Sequence, residues 1–170
     1  MGIKNAWIII AAATTILFLV FSSVTNAQKE MNTLNKTVAE LTGKSGLIVV
    51  GKVSRIHSEW DKGKSRIYTK VTVNVEEFVK GNEPGKNIVV THLGGEVGSV
   101  GELYSGTPKF KADEEVMLFL HKSKKGDLRV TRGSLGKFNV HRDKTTNMRI
   151  LDNGVSIDNI KAIVKGNLKK

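Results

Sequence analysis

The chain has 170 residues, enough for one domain with its own core, and 39% apolar but only 6% aromatic content points to a core of Val, Ile and Leu. Cysteine is absent, which excludes a disulfide framework, a thiolate metal site, thiol catalysis and a lipid anchor on cysteine. The net charge of +11 is uneven: residues 28–121 hold thirteen Lys and Arg against twelve Asp and Glu, whereas residues 122–170 hold thirteen against four, a net of +9. Such asymmetry points to an anionic partner, or to retention near an anionic surface without a specific ligand.

At the N-terminus Lys4 precedes sixteen uncharged residues, 6–21, and the small, polar run Ser22 to Ala27. Thr25 and Ala27 stand at the −3 and −1 positions of a cleavage site before Gln28, so residues 1–27 read as a secretory signal peptide. The alternative is an uncleaved membrane anchor, since a spanning helix needs only about 17 residues. On either reading, residues 28–170 form a single extracytoplasmic domain, secreted or anchored, that touches a membrane only through residues 6–21.

Met31, Leu34, Val38 and Leu41 share one face of a short helix that Gly43 is placed to end. The period then changes. Gly46 to His57 is a β-type run with Gly51 as a possible bulge, and Ser58 to Ser65 is a polar loop carrying Trp60. From Ile67 the residues alternate, with Ile67, Thr69, Val71, Val73 and Val75 on one face and Tyr68, Lys70, Thr72, Asn74 and Glu76 on the other, which predicts a long hairpin with the preceding run. After a Gly- and Pro-containing turn at Lys80 to Lys86, Asn87 to Leu93 is a third strand. Glu115 to His121, apolar on both faces, is a central fourth. Asp127 to Thr131 and Lys137 to His141 are short fifth and sixth strands, Asn147 to Ile157 is irregular or a hairpin about Asp152 to Gly154, and Ser156 caps a last helix with Ile157, Ile160 and Val164 on one face and Lys165 and Gly166 at its end. The expected fold is mainly β: a small antiparallel barrel, OB-like, with its core at about 46–141 and a short helix at each end. An irregular β-sandwich is the alternative. The absence of helical patterns between strands excludes a doubly wound α/β fold.

Two glycine patterns invite a phosphate-binding reading. Gly46 to Lys52 matches G-x-x-x-x-G-K, but Val53 stands where Ser or Thr must hold Mg²⁺, and a Leu-Ile-Val-Val spacer commits the backbone N–H groups to a strand ladder. Gly95 to Gly101 is G-x-x-G-x-x-G, with no helix after it and Glu96 where a pyrophosphate would lie, so it reads as a crossing loop shaped by glycine, with ligand lining as the minority reading. Nucleophile-elbow, zinc-protease and deaminase signatures are all missing. Glu76–Glu77 and Glu114–Glu115 are adjacent within strands and point to opposite faces, so neither is an acid–base pair. His57, His92, His121 and His141 each fall near a strand end, where a shared site would require several to meet. No metal or cofactor is expected.

Several motifs in combination resemble an uncharacterised family of exported bacterial and archaeal β-domains, some attached to larger envelope proteins. They are Gly51-Lys52-Val53, the Trp60-Asp61 loop with Ile67 to Val73, Glu77 to Gly81, Leu93 to Gly98, Pro108 to Leu120, and Gly133 to Val140. The resemblance spans about residues 46–141 and carries no catalytic residue. It implies that the glycine loop and the Gly136-Lys137-Phe138 segment are recurrent structural features.

The expected function is a non-catalytic binding or accessory domain at the cell envelope. Its candidate anionic-ligand residues are Lys122, Lys124, Lys125, Arg129 and Arg132, and its candidate partner or ligand loop comprises Trp60, Gly94, Gly95 and Glu96. The partner is an anionic envelope polymer or lipid headgroups, or a larger envelope protein docked through Trp60 or the exposed edge of the fourth strand. Nucleic acid fits poorly, because the basic third has almost no interleaved aromatics. The alternative function is a hydrolase or transferase at the histidine-bearing end of the barrel.

Overall fold

The computed structural model describes residues 28–169, so residues 1–27, expected as a signal peptide or anchor, lie outside the described residues. The chain comprises two units, residues 1–37 and 38–170. In the first, residues 28–37 are helical, and Thr33 and Thr37 donate back to the carbonyls of Lys29 and Thr33. The second opens with helical residues 38–44, so this helix (α1, residues 28–44) runs one residue past Gly43. No helix among the described residues is long and apolar enough to cross a membrane.

Nine strands follow: β1 (Leu47–Trp60), β2 (Ile67–Lys80), β3 (Asn87–Leu93), β4 (Gly95–Val97), β5 (Val100–Glu102), β6 (Glu115–Lys122), β7 (Leu128–Val130), β8 (Lys137–Arg142) and β9 (Arg149–Leu151). A 3-10 turn, Gly133–Gly136, precedes β8, and helix α2 (Ile157–Leu168) ends the fold. The expected mainly-β architecture with a helix at each end is present. Five strands form a ring in the order β1-β2-β3-β7-β6, closed by pairing of β6 with β1. All neighbours in the ring are antiparallel except β3 and β7, which run parallel where Val90 meets Leu128. Strands β8 and β9 extend the sheet from β6.

The long hairpin follows from alternation. Ile67, Thr69, Val71, Val73 and Val75 are all buried, while the residues between them are half-buried or exposed. Val49, Val53, Val71, Val73, Ile88, Val90, Leu118 and Val130 meet inside the ring, and Phe78 and Phe110 pack against them. The register of β1 slips at Val50/Gly51. A Cβ at Gly51 would overlap the Asn74 carbonyl oxygen, so only glycine lets β2 close on β1 there. This also disposes of the Gly46 to Lys52 phosphate-loop pattern, because residues 47–52 are paired to β6 and 48–52 to β2.

Four local expectations are corrected. Trp60 is the last residue of β1, paired with Ile67, and the loop proper is 61–66. Strand β6 has no exposed edge, since β1, β7 and β8 all pair with it, which removes it as an edge-docking site. The glycine loop contains a small hairpin, β4–β5, that its composition concealed. Helix α2 passes through Gly166 to Leu168, because one helical glycine costs only about 1 kcal/mol. The Ser156 cap is as expected, its hydroxyl accepting from the Asp158 N–H at 3.2 Å, and Ile157, Ile160 and Val164 are buried.

Candidate ligand-binding surfaces

The hairpin turn of β1–β2 and the turn between β6 and β7 bound a common cleft of about 160 Å³. It is lined by Glu59, Trp60, Asp61, Tyr68, Lys70, Thr91, Lys125, Asp127 and Arg129. Trp60 and the lysine-bearing turn lie far apart in sequence, and ring closure brings them together. Glu59 and Tyr68 are cross-strand partners, and Lys70 pairs with Thr91. The loop is shaped by Asp61, whose carboxylate accepts from the Ser65 N–H at 2.7 Å, the Ser65 hydroxyl at 2.9 Å and the Arg66 N–H at 3.2 Å. These hydrogen bonds hold its carboxyl below the usual 3.8, and the Lys125 ammonium adds to the effect. The Lys125 turn is closed by a Gly126 N–H to Ser123 carbonyl bond of 2.9 Å and a Ser123 N–H to Asp127 carbonyl bond of 2.8 Å.

Five of the thirteen cations in the last third reach carboxylates from earlier in the chain. Lys122 pairs with Glu83 at 2.7 Å, Arg132 with Glu40, Lys137 with Glu114 at 3.0 Å, Arg149 with Glu76 and Glu115, and Lys161 with Glu77. Each carboxylate in that set comes from before residue 122, so asymmetry along the chain becomes neutralisation in space. Of the five candidate cations, Lys125 and Arg129 line the cleft. Lys124 is exposed in the same turn, and Lys122 and Arg132 are committed to carboxylates elsewhere. Lys62 and Lys64, beside Trp60 on the opposing loop, are exposed and, like Lys124 and Lys125, lack a carboxylate within 4.0 Å among the described residues. Inside the cleft the signs balance: Glu59 pairs with Lys70 at 2.6 Å, and Asp127 lies 3.9 Å from Arg129.

Gly94, Gly95 and Glu96 belong to a second concavity, a groove of about 1060 Å³ beneath the glycine loop. Gly95 has φ 137°, and a Cβ there would overlap Thr69 Oγ1 and Ser58 Oγ, so a side-chain-free residue is required. Thr69 donates its hydroxyl proton to the Gly94 carbonyl at 2.6 Å, so Ser58, 2.9 Å away, donates to Thr69. The loop is tied down by Glu102, which accepts from the Ile67 N–H at 3.1 Å and from the Tyr104 hydroxyl at 3.0 Å, while Arg66 donates to Tyr104 at 2.9 Å.

The four histidines have separate surroundings. His57 faces Glu59 at 4.0 Å, His92 stacks on Phe110, His121 lies 3.4 Å from the Thr131 hydroxyl, and His141 hydrogen-bonds Asp152. Among the described residues no three His, Asp or Glu side chains converge as metal ligands. Adjacent carboxylates take different cations: Glu76 meets Arg149 where Glu77 meets Lys161, and Glu114 meets Lys137 where Glu115 meets Arg149. Comparison with protein-family models and with curated proteins finds no match.

Proposed function

We propose that this chain is a non-catalytic binding module of the cell envelope, carried there by residues 1–27. On this reading it is an OB-like barrel of the exported β-domain type, and it holds an acidic glycan of the envelope in the cleft between loop 61–66 and turn 123–127. One observation carries the reading: two aromatic rings, Trp60 and Tyr68, share a cleft with balanced ion pairs, and unpaired lysines stand on both flanking turns. Three features support it. The ring order and the parallel β3–β7 contact suit an OB-like barrel, whose second and third strands and neighbouring loops bind oligosaccharides and oligonucleotides. Trp and Tyr offer flat apolar faces to a sugar ring. Glu59, Asp61 and Asp127 accept sugar hydroxyls, while Lys62, Lys64, Lys124 and Lys125 on the flanking turns meet the glycan's acidic substituents.

The test is retention of the full chain on immobilised polygalacturonate, with neutral dextran and single-stranded oligothymidine as comparisons. The wild type binds the acidic glycan, and salt releases it, because screening beyond about 8–10 Å removes most of such attraction. Lys124→Gln with Lys125→Gln elutes at lower salt, and Trp60→Ala loses retention. Lys122→Gln, whose lysine pairs with Glu83, elutes with the wild type. Equal elution of all the variants would show that the charge acts diffusely and that the cleft is not the site.

A further inference from the structure

The groove beneath the glycine loop plays no part in the glycan reading. Its volume, about 1060 Å³, matches that of clefts that hold small ligands or peptide segments. Leu93, Pro108 and Phe110 give it apolar walls, and Leu103 stands at its rim 88% exposed, a leucine with nothing to pack on.

Ser58, His92, Glu96 and Glu102, four of the polar side chains around it, share one character. Ser58 has its hydroxyl proton on Thr69 and Thr69 has its own on the Gly94 carbonyl, so Ser58 offers only lone pairs. His92 Nδ1 lies 2.9 Å from the Leu93 carbonyl, which can only accept, so the proton is on Nδ1 and Nε2 is bare. Burial holds this imidazole below its usual 6.5 and keeps it neutral at physiological pH. Tyr104 has its proton on Glu102, whose Oε1 is free of protein donors, and Glu96 is an exposed carboxylate on β4. Beside these acceptors the lining also holds Lys109 and the hydroxyls of Ser105 and Thr107. Beside them, among the described residues, β5 pairs only with β4 and has no strand on its second edge.

We propose that the groove receives an extended segment of a protein partner, added alongside β5, that places an apolar side chain against Leu103 and Phe110 and a basic side chain on the acceptors Ser58, His92, Glu96 and Glu102. A cluster of four acceptors, Ser58, His92, Glu96 and Glu102, calls for a ligand rich in N–H donors, and an arginine guanidinium carries five. The open strand edge supplies backbone affinity, and the apolar wall and the acceptor cluster supply specificity. An anionic glycan is excluded from this groove by Glu96 and Glu102, so one domain would join an envelope polymer on one face to a polypeptide on another.

The test is a two-dimensional amide NMR titration of the full chain with three acetylated, amidated pentapeptides in which valine alternates with arginine, with glutamine or with glutamate. The arginine peptide gives saturable shifts at Ser58, Thr69, His92 and Gly95. The glutamine peptide binds about tenfold more weakly, as expected for loss of a charged hydrogen-bonded contact, and the glutamate peptide does not bind. Glu96→Gln with Glu102→Gln removes the preference for arginine yet leaves the spectrum dispersed, because a glutamine carbonyl still accepts from Ile67 and Tyr104. Leu103→Ser weakens all binding. The proposal is overturned if no peptide saturates, if the glutamate peptide binds as well, if the shifts fall around Trp60 and Lys125 instead, or if the double variant keeps its preference.

Discussion

His92 shows how one side chain links packing to pH. Its ring stacks on Phe110 with centroids 5.9 Å apart, and Lys137, its side chain only 8% exposed, places its ammonium 5.2 Å from the centroid of that phenyl ring. Burial lowers the imidazole pKa in the folded state, and the hydrogen bond to Leu93 opposes that only in part. The unfolded chain therefore takes up a proton near pH 6.5 that the folded chain refuses. The stability contributed by neutral His92 is present above that pH and is lost as the pH falls toward the folded value. His92→Phe keeps the stack and removes the titration, so the wild type should lose more melting temperature than the variant between about pH 7.5 and about pH 5.5. Parallel slopes for the two proteins would refute this. At Gly95 the constraint is backbone conformation. Gly95→Val puts a β-branched residue at φ 137° against Thr69 and Ser58, and should destabilise by about 1–3 kcal/mol in a denaturant titration, with ATP or NAD giving no saturable rescue.

At the scale of elements, β2 offers a direct test of alternation. Val71→Asp buries an unpaired charge among the ring's valines and should leave little folded protein, whereas Thr72→Asp, on the wetter face, should shift the thermal midpoint by only a few degrees. Phe119, fully buried with its ring 5.6 Å from Phe138, should cost about 3–5 kcal/mol when cut to alanine. Elements with an apolar face, stripe or continuous run were legible in the sequence: the β1–β2 hairpin, β3, β6 and α2 with its Ser156 cap. β4–β5 was not, because Gly95, Gly98 and Gly101 contribute no side-chain period for the eye to follow. The last hairpin turns at Asp143 to Met148, where the Asp143 carboxylate accepts from the Thr145 and Thr146 N–H groups. The reversal expected at Asp152 to Gly154 is a second, smaller one marked by the Ile150–Ser156 bridge. Both sites carry turn residues, and only strand pairing ranks them. The two halves of the cleft were each legible as Trp60 and the lysine turn, but their meeting depends on ring closure, which leaves no mark on local pattern.

For the 38–170 unit as a whole, the decisive feature is how charge is arranged. Five cations from the last third reach back to carboxylates of the first two, so a basic tail in sequence acts as a set of clasps. Arg149 bridges Glu76 on β2 and Glu115 on β6, and its side chain is 23% exposed. Arg149→Ala leaves both carboxylates without it and should cost more than about 1 kcal/mol by chemical denaturation, while Arg142→Ala, exposed and with no ion pair among the described residues, should stay within about 0.5 kcal/mol. Equal effects would mean that the clasps are incidental surface pairs.

The closed ring also bears on how fast the chain finds its fold. The β1–β2 hairpin joins neighbours through a short loop and can form early, in about 1–10 μs. Closure is different: Leu47 must find Leu120, and the parallel contact of Val90 with Leu128 forms only after the whole glycine loop and β6 have been threaded between them. Long-range pairing of this kind slows folding, because the entropy of closing the loop is lost before any contact rewards it. The same glycines that open the groove therefore lie in the long segment that ring closure must span, and until β1 and β6 pair, each presents an open apolar edge to any neighbouring chain.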